Sequence, residues 1–422
     1  MKLRGHFCLA AAGALALPAM AQQLHLSDLV TEAVEKNPEI IAAQKQYEAA
    51  RLRPDQASSL PETTFSAGYW SNGRPWPGAG LGREPTSNIG FAVSQEFPFP
   101  GKRKLRGDVA AKEAEAEFQE FQGVRLGVVS RLKQAYFRLA HSYLVVDVLS
   151  RNKELLTGLL RITEIRYSVG KAAQQDIFKA QTQLSILEAR LALQRREQAA
   201  REAELLAILN RPPADALAGK PPALQPSSPA KTLEELFSAA SRNSPLLNRG
   251  QKTIERNQLA TNLARKDFYP DYTVSGGYFN QGRLADMYQF QVSFKLPTSY
   301  SRKQRAAVAE QVALTTQARR AREADSQGLA FRIKDEYLTW ETSFRLTKLY
   351  GETVVPQSSL GLQSSLASYE TGAVDFLSVL TNFISILEYE MNYHEEMLSG
   401  HLAAARLEEL TGLPLAGEEL HK

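Results

Sequence analysis

Two hydrophobic periods take turns along this chain. Ile89, Phe91 and Val93 lie on one face of an extended segment whose other face holds Gly90, Ala92 and Ser94. Tyr288, Phe290, Val292, Phe294 and Leu296 alternate in the same way with Gln289, Gln291, Ser293 and Lys295. A period of two predicts strands with one apolar and one polar face. Pro61 opens the stretch from Thr63 to Trp70, and Pro98 with Pro100 closes the stretch from Asn88 to Phe97. Pro270 and Pro297 bound a second pair, Tyr272 to Phe279 and Tyr288 to Leu296. Proline neither continues a helix nor donates to a central strand ladder, so it fixes where one regime ends. Strands are therefore predicted at about 62–70, 87–97, 271–280 and 287–296.

Between the strands the period changes to three and four. Val129, Leu132, Tyr136, Leu139, Tyr143 and Val146 form one stripe along a helix, matched later by Ile333, Tyr337, Trp340 and Phe344. Ala180, Leu184, Leu187 and Leu191 form another, matched by Leu380, Ile384, Leu387 and Met391. Such stripes predict helix–helix seams. No proline occurs from Val109 to Ile208, and the only glycines there are Gly123, Gly127, Gly158 and Gly170. A helix of about 60 residues would reach roughly 90 Å, a length that suits a tube or rod.

These matches belong to a larger repeat. Asn37-Pro38-Glu39-Ile40 is echoed by Asn243-Ser244-Pro245-Leu246, and Phe91-Ala92-Val93-Ser94 by Phe290-Gln291-Val292-Ser293. Arg131-Leu132-Lys133-Gln134-Ala135-Tyr136 returns as Arg332-Ile333-Lys334-Asp335-Glu336-Tyr337, and Ser185-Ile186-Leu187-Glu188 returns unchanged at Ser385. The period of roughly 200 residues far exceeds solenoid periods, so a whole domain is duplicated. The expected division is a leader at 1–21, a first repeat at 22–210, a Pro-rich linker at 211–230 and a second repeat at 231–422.

The N-terminus changes the compartment. Lys2 and Arg4 precede an apolar stretch from Phe7 to Leu17, followed by Pro18 and the small-residue triplet Ala19-Met20-Ala21. This predicts a secretory signal peptide cleaved before Gln22. The only cysteine, Cys8, lies within it, and Gly5-His6-Phe7-Cys8 does not fit a lipoprotein signal, so no lipidation is expected. No later run is long enough for a spanning helix, so entry into a membrane would have to use a β-barrel. Four strands cannot close one alone, and several chains would have to pool theirs. The formal net charge of +4 does not point to nucleic acid. His25, His141, His394, His401 and His421 show no metal-ligand spacing, and no metal or other cofactor is expected. A glycine-rich phosphate loop, a G-x-S-x-G elbow and an H-E-x-x-H pair are all missing, so an enzyme is the least favoured class.

Arg166-Tyr167-Ser168-Val169-Gly170-Lys171 and Ser368-Tyr369-Glu370-Thr371-Gly372-Ala373 stand at equivalent points of the two copies. With the duplicated halves, two strands per half and long helical hairpins, they make nearly the whole mature chain resemble the TolC family of outer-membrane factors. The resemblance implies a mostly α, duplicated fold with a membrane β-barrel. Long antiparallel helical hairpins would form a periplasmic α-barrel, and four strands per chain would be pooled into a twelve-stranded trimeric barrel. It implies an outer-membrane channel extending into the periplasm, as a homotrimer. A periplasmic adaptor would meet it at tip turns near 167–171 and 369–373, through Val169, Gly170, Lys171, Thr371, Gly372 and Ala373. An inner-membrane pump of the RND type would supply cargo.

Residue roles also follow from the resemblance. Asp176 and Tyr369 match a family pair that hydrogen-bonds to close the periplasmic end. An arginine that reinforces closure in some members has no counterpart after Gly372, where Ala373 and Val374 stand. Asp375 matches the first of two pore-lining aspartates, while Ser378 occupies the place of the second. Three copies of Asp375 would favour cations; the same aspartate also suits a helix N-cap. Phe97-Pro98-Phe99-Pro100-Gly101-Lys102-Arg103 resembles a stretch of the metal-efflux branch, the CusC and CzcC types. The basic cluster Lys102, Arg103, Lys104 and Arg106, with Arg302, Lys303 and Arg305 in the second copy, opposes the helix dipole. Outer-membrane lipid headgroups or carboxylates on neighbouring helices would each offset that charge. The exit channel of a type I protein-secretion system and a non-channel periplasmic coiled-coil protein are the competing classes, since one fold serves several functions.

Overall fold

The computed structural model describes residues 23–73, 75–217, 219–299 and 302–415; the expected signal segment and the end from 416, with His421, lie outside them. Among the described residues three short helices come first, α1 (Leu26–Lys36), α2 (Pro38–Ala50) and α3 (Arg53–Ser58). Strands β1 (Thr64–Trp70) and β2 (Asn88–Phe97) lead into α4 (Lys102–Ser168) and α5 (Gln174–Ile208). The second copy repeats the order with α6 (Leu233–Asn243), α7 (Pro245–Lys266), β3 (Asp271–Asn280) and β4 (Met287–Lys295). It continues with α8 (Lys303–Leu349), a π-turn (Tyr350–Val354), α9 (Val355–Thr371) and α10 (Phe376–Thr411). No helix among the described residues is long and apolar enough to cross a membrane.

The echoed Asn-Pro and Asn-Ser-Pro motifs are helix starts. The Asn37 side chain accepts from the N–H groups of Glu39 and Ile40, and Pro38 occupies the first turn of α2. Pro245 does the same for α7. Proline there sacrifices an N–H that has no helical partner in any case.

The chain forms two compact units, described in turn. One comprises Val30–Gln134, Ser227–Leu346 and the chain from Ser399 onward. It holds the four strands as one antiparallel sheet in the order β1-β2-β3-β4. The middle pairing joins the two copies, with Phe91 opposite Tyr278 and Phe97 opposite Tyr272. Because register and pleat agree, Phe65, Phe91, Tyr278 and Tyr288 fall on one face, as do Val93, Val274, Val292 and Phe294. No described part of the chain covers that face, and Phe290 is 89% exposed. The opposite face carries Ser66, Ala92, Ser94, Ser275, Gln289, Gln291 and Ser293. Gly90 is required where β2 meets β3, since a Cβ there would lie 2.2 Å from the Tyr278 carbonyl oxygen. β1 begins two residues later than expected. Instead of a ladder bond, Gln95 donates from Nε2 to the Pro61 carbonyl at 2.8 Å. In the same unit Trp340 is fully buried and donates from Nε1 to the Ser227 carbonyl at 2.9 Å, tying the end of the irregular linker to α8.

The other unit comprises the chain up to Leu29, Ala135–Pro226 and Thr347–Leu398. Its core contains the predicted stripe residues Ala180, Leu187 and Leu191 of α5 and Leu380 and Leu387 of α10, and adds Leu156 and Leu159 of α4 with Val379 and Phe383 of α10, which no predicted stripe included. The π-turn interrupts the second long helix here. Val355 donates its N–H to the Tyr350 carbonyl, five residues back, and Pro356 follows with no N–H to give. Widening one turn relieves the clash of a proline ring with the carbonyl four residues earlier. Gly351 lets the turn close on Tyr393, whose Cε2 would lie 2.8 Å from an added Cβ.

Candidate functional site

Both predicted tip turns lie in the helical unit, and both are Schellman caps. At the first, the Gly170 N–H donates to the Tyr167 carbonyl at 2.9 Å and the Lys171 N–H to the Arg166 carbonyl at 2.7 Å. At the second, Gly372 donates to Tyr369 at 3.0 Å and Ala373 to Ser368 at 2.9 Å. The motif needs a left-handed residue, and Gly170 and Gly372 have φ of 74° and 87°. Val169, Gly170, Lys171, Thr371, Gly372 and Ala373 are all exposed, with no described residue over them.

The two turns are held together by a residue that sequence reasoning missed. The Arg166 guanidinium lies over the Tyr369 ring, 4.6 Å from its centroid. Its Nη1 donates to the Tyr369 carbonyl and, at 2.9 Å, to the Glu370 carbonyl. Its Nη2 donates to the Lys171 carbonyl at 3.3 Å. One planar cation thus bonds to carbonyl oxygens of both turns. The signal was present: the first tip carries Arg166 where the second has Ser368. The family resemblance draws attention to the position after Gly372 instead, where Ala373 stands.

Tyr369 does not bond Asp176 as expected. The ring is 3% exposed, and its hydroxyl donates to Thr163 Oγ1 at 3.3 Å. Thr163 in turn donates to the Leu159 carbonyl at 2.8 Å. Asp176 lies in the first turn of α5, a position that favours a carboxylate. Within the chain the phenolic proton is committed to α4. Arg166→Ala is therefore expected to loosen the pairing of the two turns by about 1.5 kcal/mol, and Tyr369→Phe by about 0.5 to 1 kcal/mol. Hydrogen–deuterium exchange at residues 369–373 measures both. Unchanged exchange in Arg166→Ala would show that the guanidinium does not hold the turns.

Asp375 is the N-cap of α10. Its Oδ1 accepts from the Ser378 N–H at 3.1 Å and from the Ser378 hydroxyl. These bonds, the hydroxyl's first, hold its carboxyl below the usual aspartate value. The residue is exposed and ionised, so capping leaves its carboxylate in contact with solvent.

The basic cluster divides. Lys102 is 3% exposed and does not face lipid. Its Nζ meets Asp271 Oδ1 at 2.9 Å, Asp267 Oδ1 at 3.3 Å and the Tyr269 carbonyl at 3.1 Å. Arg103 is half-buried and donates from Nε to the Ser58 carbonyl at 2.8 Å. Lys104, Arg302, Lys303 and Arg305 are exposed. Among the described residues no three of His, Cys, Asp and Glu form a metal-ligand cluster. His141 and His394 are half-buried, and the loss of water around them pushes both imidazoles down to about 4 and leaves them neutral.

Known proteins match this arrangement at three levels. The family model described as outer membrane efflux protein matches residues 29–211 and 236–413. Cobalt-zinc-cadmium resistance protein CzcC of Cupriavidus metallidurans is 25% identical over 325 residues, 74% of each chain. Outer membrane protein TolC of Vibrio cholerae is 24% identical over 184 residues, 43% of this chain and 41% of TolC. The chain thus matches about two fifths of TolC's own length. Among solved structures, the outer membrane protein VceC of Vibrio cholerae superposes with a TM-score of 0.79 at 18% identity. That superposition covers 92% of this chain and 96% of VceC, and at this identity it is a likeness of fold.

Proposed function

We propose, from the premise that this chain belongs to the outer membrane efflux protein family, that it is the outer-membrane subunit of a tripartite efflux system. The family and the fold are those of channel proteins rather than enzymes. The finer reading is a passive duct formed by three copies, which receives cargo from an inner-membrane pump through a periplasmic adaptor.

One observation carries this reading: a four-stranded sheet with an uncovered apolar face and two edges, β1 and β4, that no described strand pairs. Such edges and such a face are a liability in water. Three copies joined β1 to β4 make a closed barrel of twelve strands, which removes both liabilities at once. Phe65, Phe91, Phe290 and Phe294 then face hydrocarbon, while Ser66, Ser94, Gln289, Gln291 and Ser293 line the interior. β2, β3 and β4, of 10, 10 and 9 residues, suit the thickness of that membrane. In the helical unit, the exposed Gly170 and Gly372 turns are the surface offered to the adaptor.

Metal cations are the favoured cargo. The likeness to CzcC extends over three quarters of both chains, and that protein's name is one of cobalt, zinc and cadmium resistance. Asp375 supplies one ionised carboxylate per chain near the second tip, and Ser378 supplies none. A ring of three carboxylates attracts cations without the affinity that would trap them.

Purified protein should be extracted only by detergent, as a trimer, and should conduct ions in planar bilayers. Asp375→Ala should lower its preference for cations over anions, and the remaining preference should be weaker than in channels with two aspartate rings. A soluble monomer would sink the duct reading. Unchanged selectivity in a conducting Asp375→Ala trimer would remove Asp375 from the ion path.

A further inference from the structure

Below the sheet, where β2 ends and α4 begins, lies a groove of about 540 Å³ with Leu60, Phe97, Phe99, Tyr272, Arg103 and Lys104 in its wall. We infer that this groove binds the phosphate headgroup of a phospholipid, an inference that rests on the outer-membrane reading and gives the barrel a specific anchor at its periplasmic rim.

The apolar part comes first. Phe97, Tyr272 and Phe294 form a row across three neighbouring strands on the uncovered face. Phe97 stacks on Tyr272 with centroids 5.4 Å apart, and Tyr272 meets Phe294 at 6.4 Å. An aromatic row at a strand end is what a barrel places at the boundary between hydrocarbon and headgroups. Immediately beyond it, Phe99 stacks on Tyr269 at 4.5 Å, and the Lys266 ammonium lies 5.3 Å from the Phe99 centroid. The wall of the groove is therefore fixed by ring contacts and is not a loose loop.

The polar part sits one step deeper. Neither Arg103 nor Lys104 forms an ion pair among the described residues, whereas Lys102 between them and the sheet is taken up by Asp271 and Asp267. The backbone N–H groups of Arg103 and Lys104 are the second and third of α4, and neither finds an acceptor in the turn before it. Gly101, at φ of 92°, swings the chain so that this helix start opens beside the groove. Two cations at the positive end of a 67-residue helix are unfavourable alone. One anion placed there satisfies both cations, both N–H groups and the dipole. Lipid phosphate fits better than free phosphate, because the aromatic row continues from the cations into the apolar face, where acyl chains would lie.

The test uses the full chain purified as a detergent-solubilised trimer, with phosphatidylglycerol added in mixed micelles and bound lipid counted by native mass spectrometry. Lys104→Glu removes an exposed side chain that holds no fold contact. It should reduce retained phosphatidylglycerol about fivefold or more, as expected from the attraction of each basic side chain to anionic lipid. Arg103→Gln with Lys104→Glu should reduce it further, while trimer yield and channel conductance stay unchanged. Excess inorganic phosphate should leave the lipid in place. Displacement by inorganic phosphate would make this a free-anion site and overturn the lipid assignment. Retention unchanged in both variants, as when a second copy fills the groove, would overturn the site itself. Loss of conductance and of detergent-dependent extraction in the unmodified protein would instead count against the outer-membrane reading.

Discussion

Leucine at both Gly170 and Gly372 is expected to abolish export while trimers still accumulate in the outer membrane. Each glycine sits in left-handed backbone, where a residue with a Cβ costs about 1 to 2 kcal/mol. The two positions differ in what else they disturb. A Cβ at Gly170 meets nothing within 4 Å, so the penalty there is conformational. A Cβ at Gly372 lies 3.4 Å from Arg166 Nη2, so a leucine side chain also displaces the guanidinium that joins the turns. Both turns are solvent-facing and distant in sequence from the strands, so barrel assembly should be spared. Cargo export from cells and heat-modifiable migration of the trimer are the two readouts. Gly170→Ala alone should export nearly normally, and Gly372→Ala should fall between. Full export in the double leucine variant, with trimers intact, would mean that these turns are not the docking surface.

Lys102→Met should destabilise the sheet-bearing unit by about 3 kcal/mol, the lower end of what breaking a buried ion pair costs. The lower end applies because Asp267, one of the two carboxylates, is 51% exposed and can return to water. Asp271 cannot do so as easily. Its Oδ1 also accepts the Phe99 N–H at 2.7 Å, which fixes it at the start of β3. Without the ammonium it would be a poorly compensated carboxylate beside the stacked Phe97 and Tyr272 rings. Lys102→Met combined with Asp271→Asn should recover most of the loss, because the asparagine can still accept from Phe99 and no charge is stranded. Denaturant midpoints of the detergent-solubilised trimer measure the three proteins. Equal midpoints for Lys102→Met and the unmodified chain would show that the buried pair contributes nothing to stability.

The feature that joins these residues is the division of one charged run by its surroundings. Lys102, Arg103 and Lys104 are consecutive, yet they meet carboxylates, a carbonyl and solvent respectively. Helical geometry turns each by about 100° from the last, so three neighbours cannot share an environment. A reading that treats the run as one basic patch therefore misplaces at least one of them.

What the sequence alone determined about this protein is what depends on near neighbours. Alternation placed the second and fourth strands and their apolar face, because side-chain direction in a strand depends only on position in the pleat. Prolines marked the strand ends, and Gly170 and Gly372 marked the turns, because these are limits on single backbone dihedrals. The three-four stripes identified the seam positions Ala180, Leu187 and Leu387 through helical period alone. Only the tertiary structure revealed the π-turn at Tyr350–Val354. It alone paired β2 with β3 across the whole of α4 to α7, gave the Tyr369 hydroxyl to Thr163, and brought Arg166 over Tyr369. Those choices join residues some 170 to 210 positions apart, so they are settled by which helix faces come together and not by any local pattern.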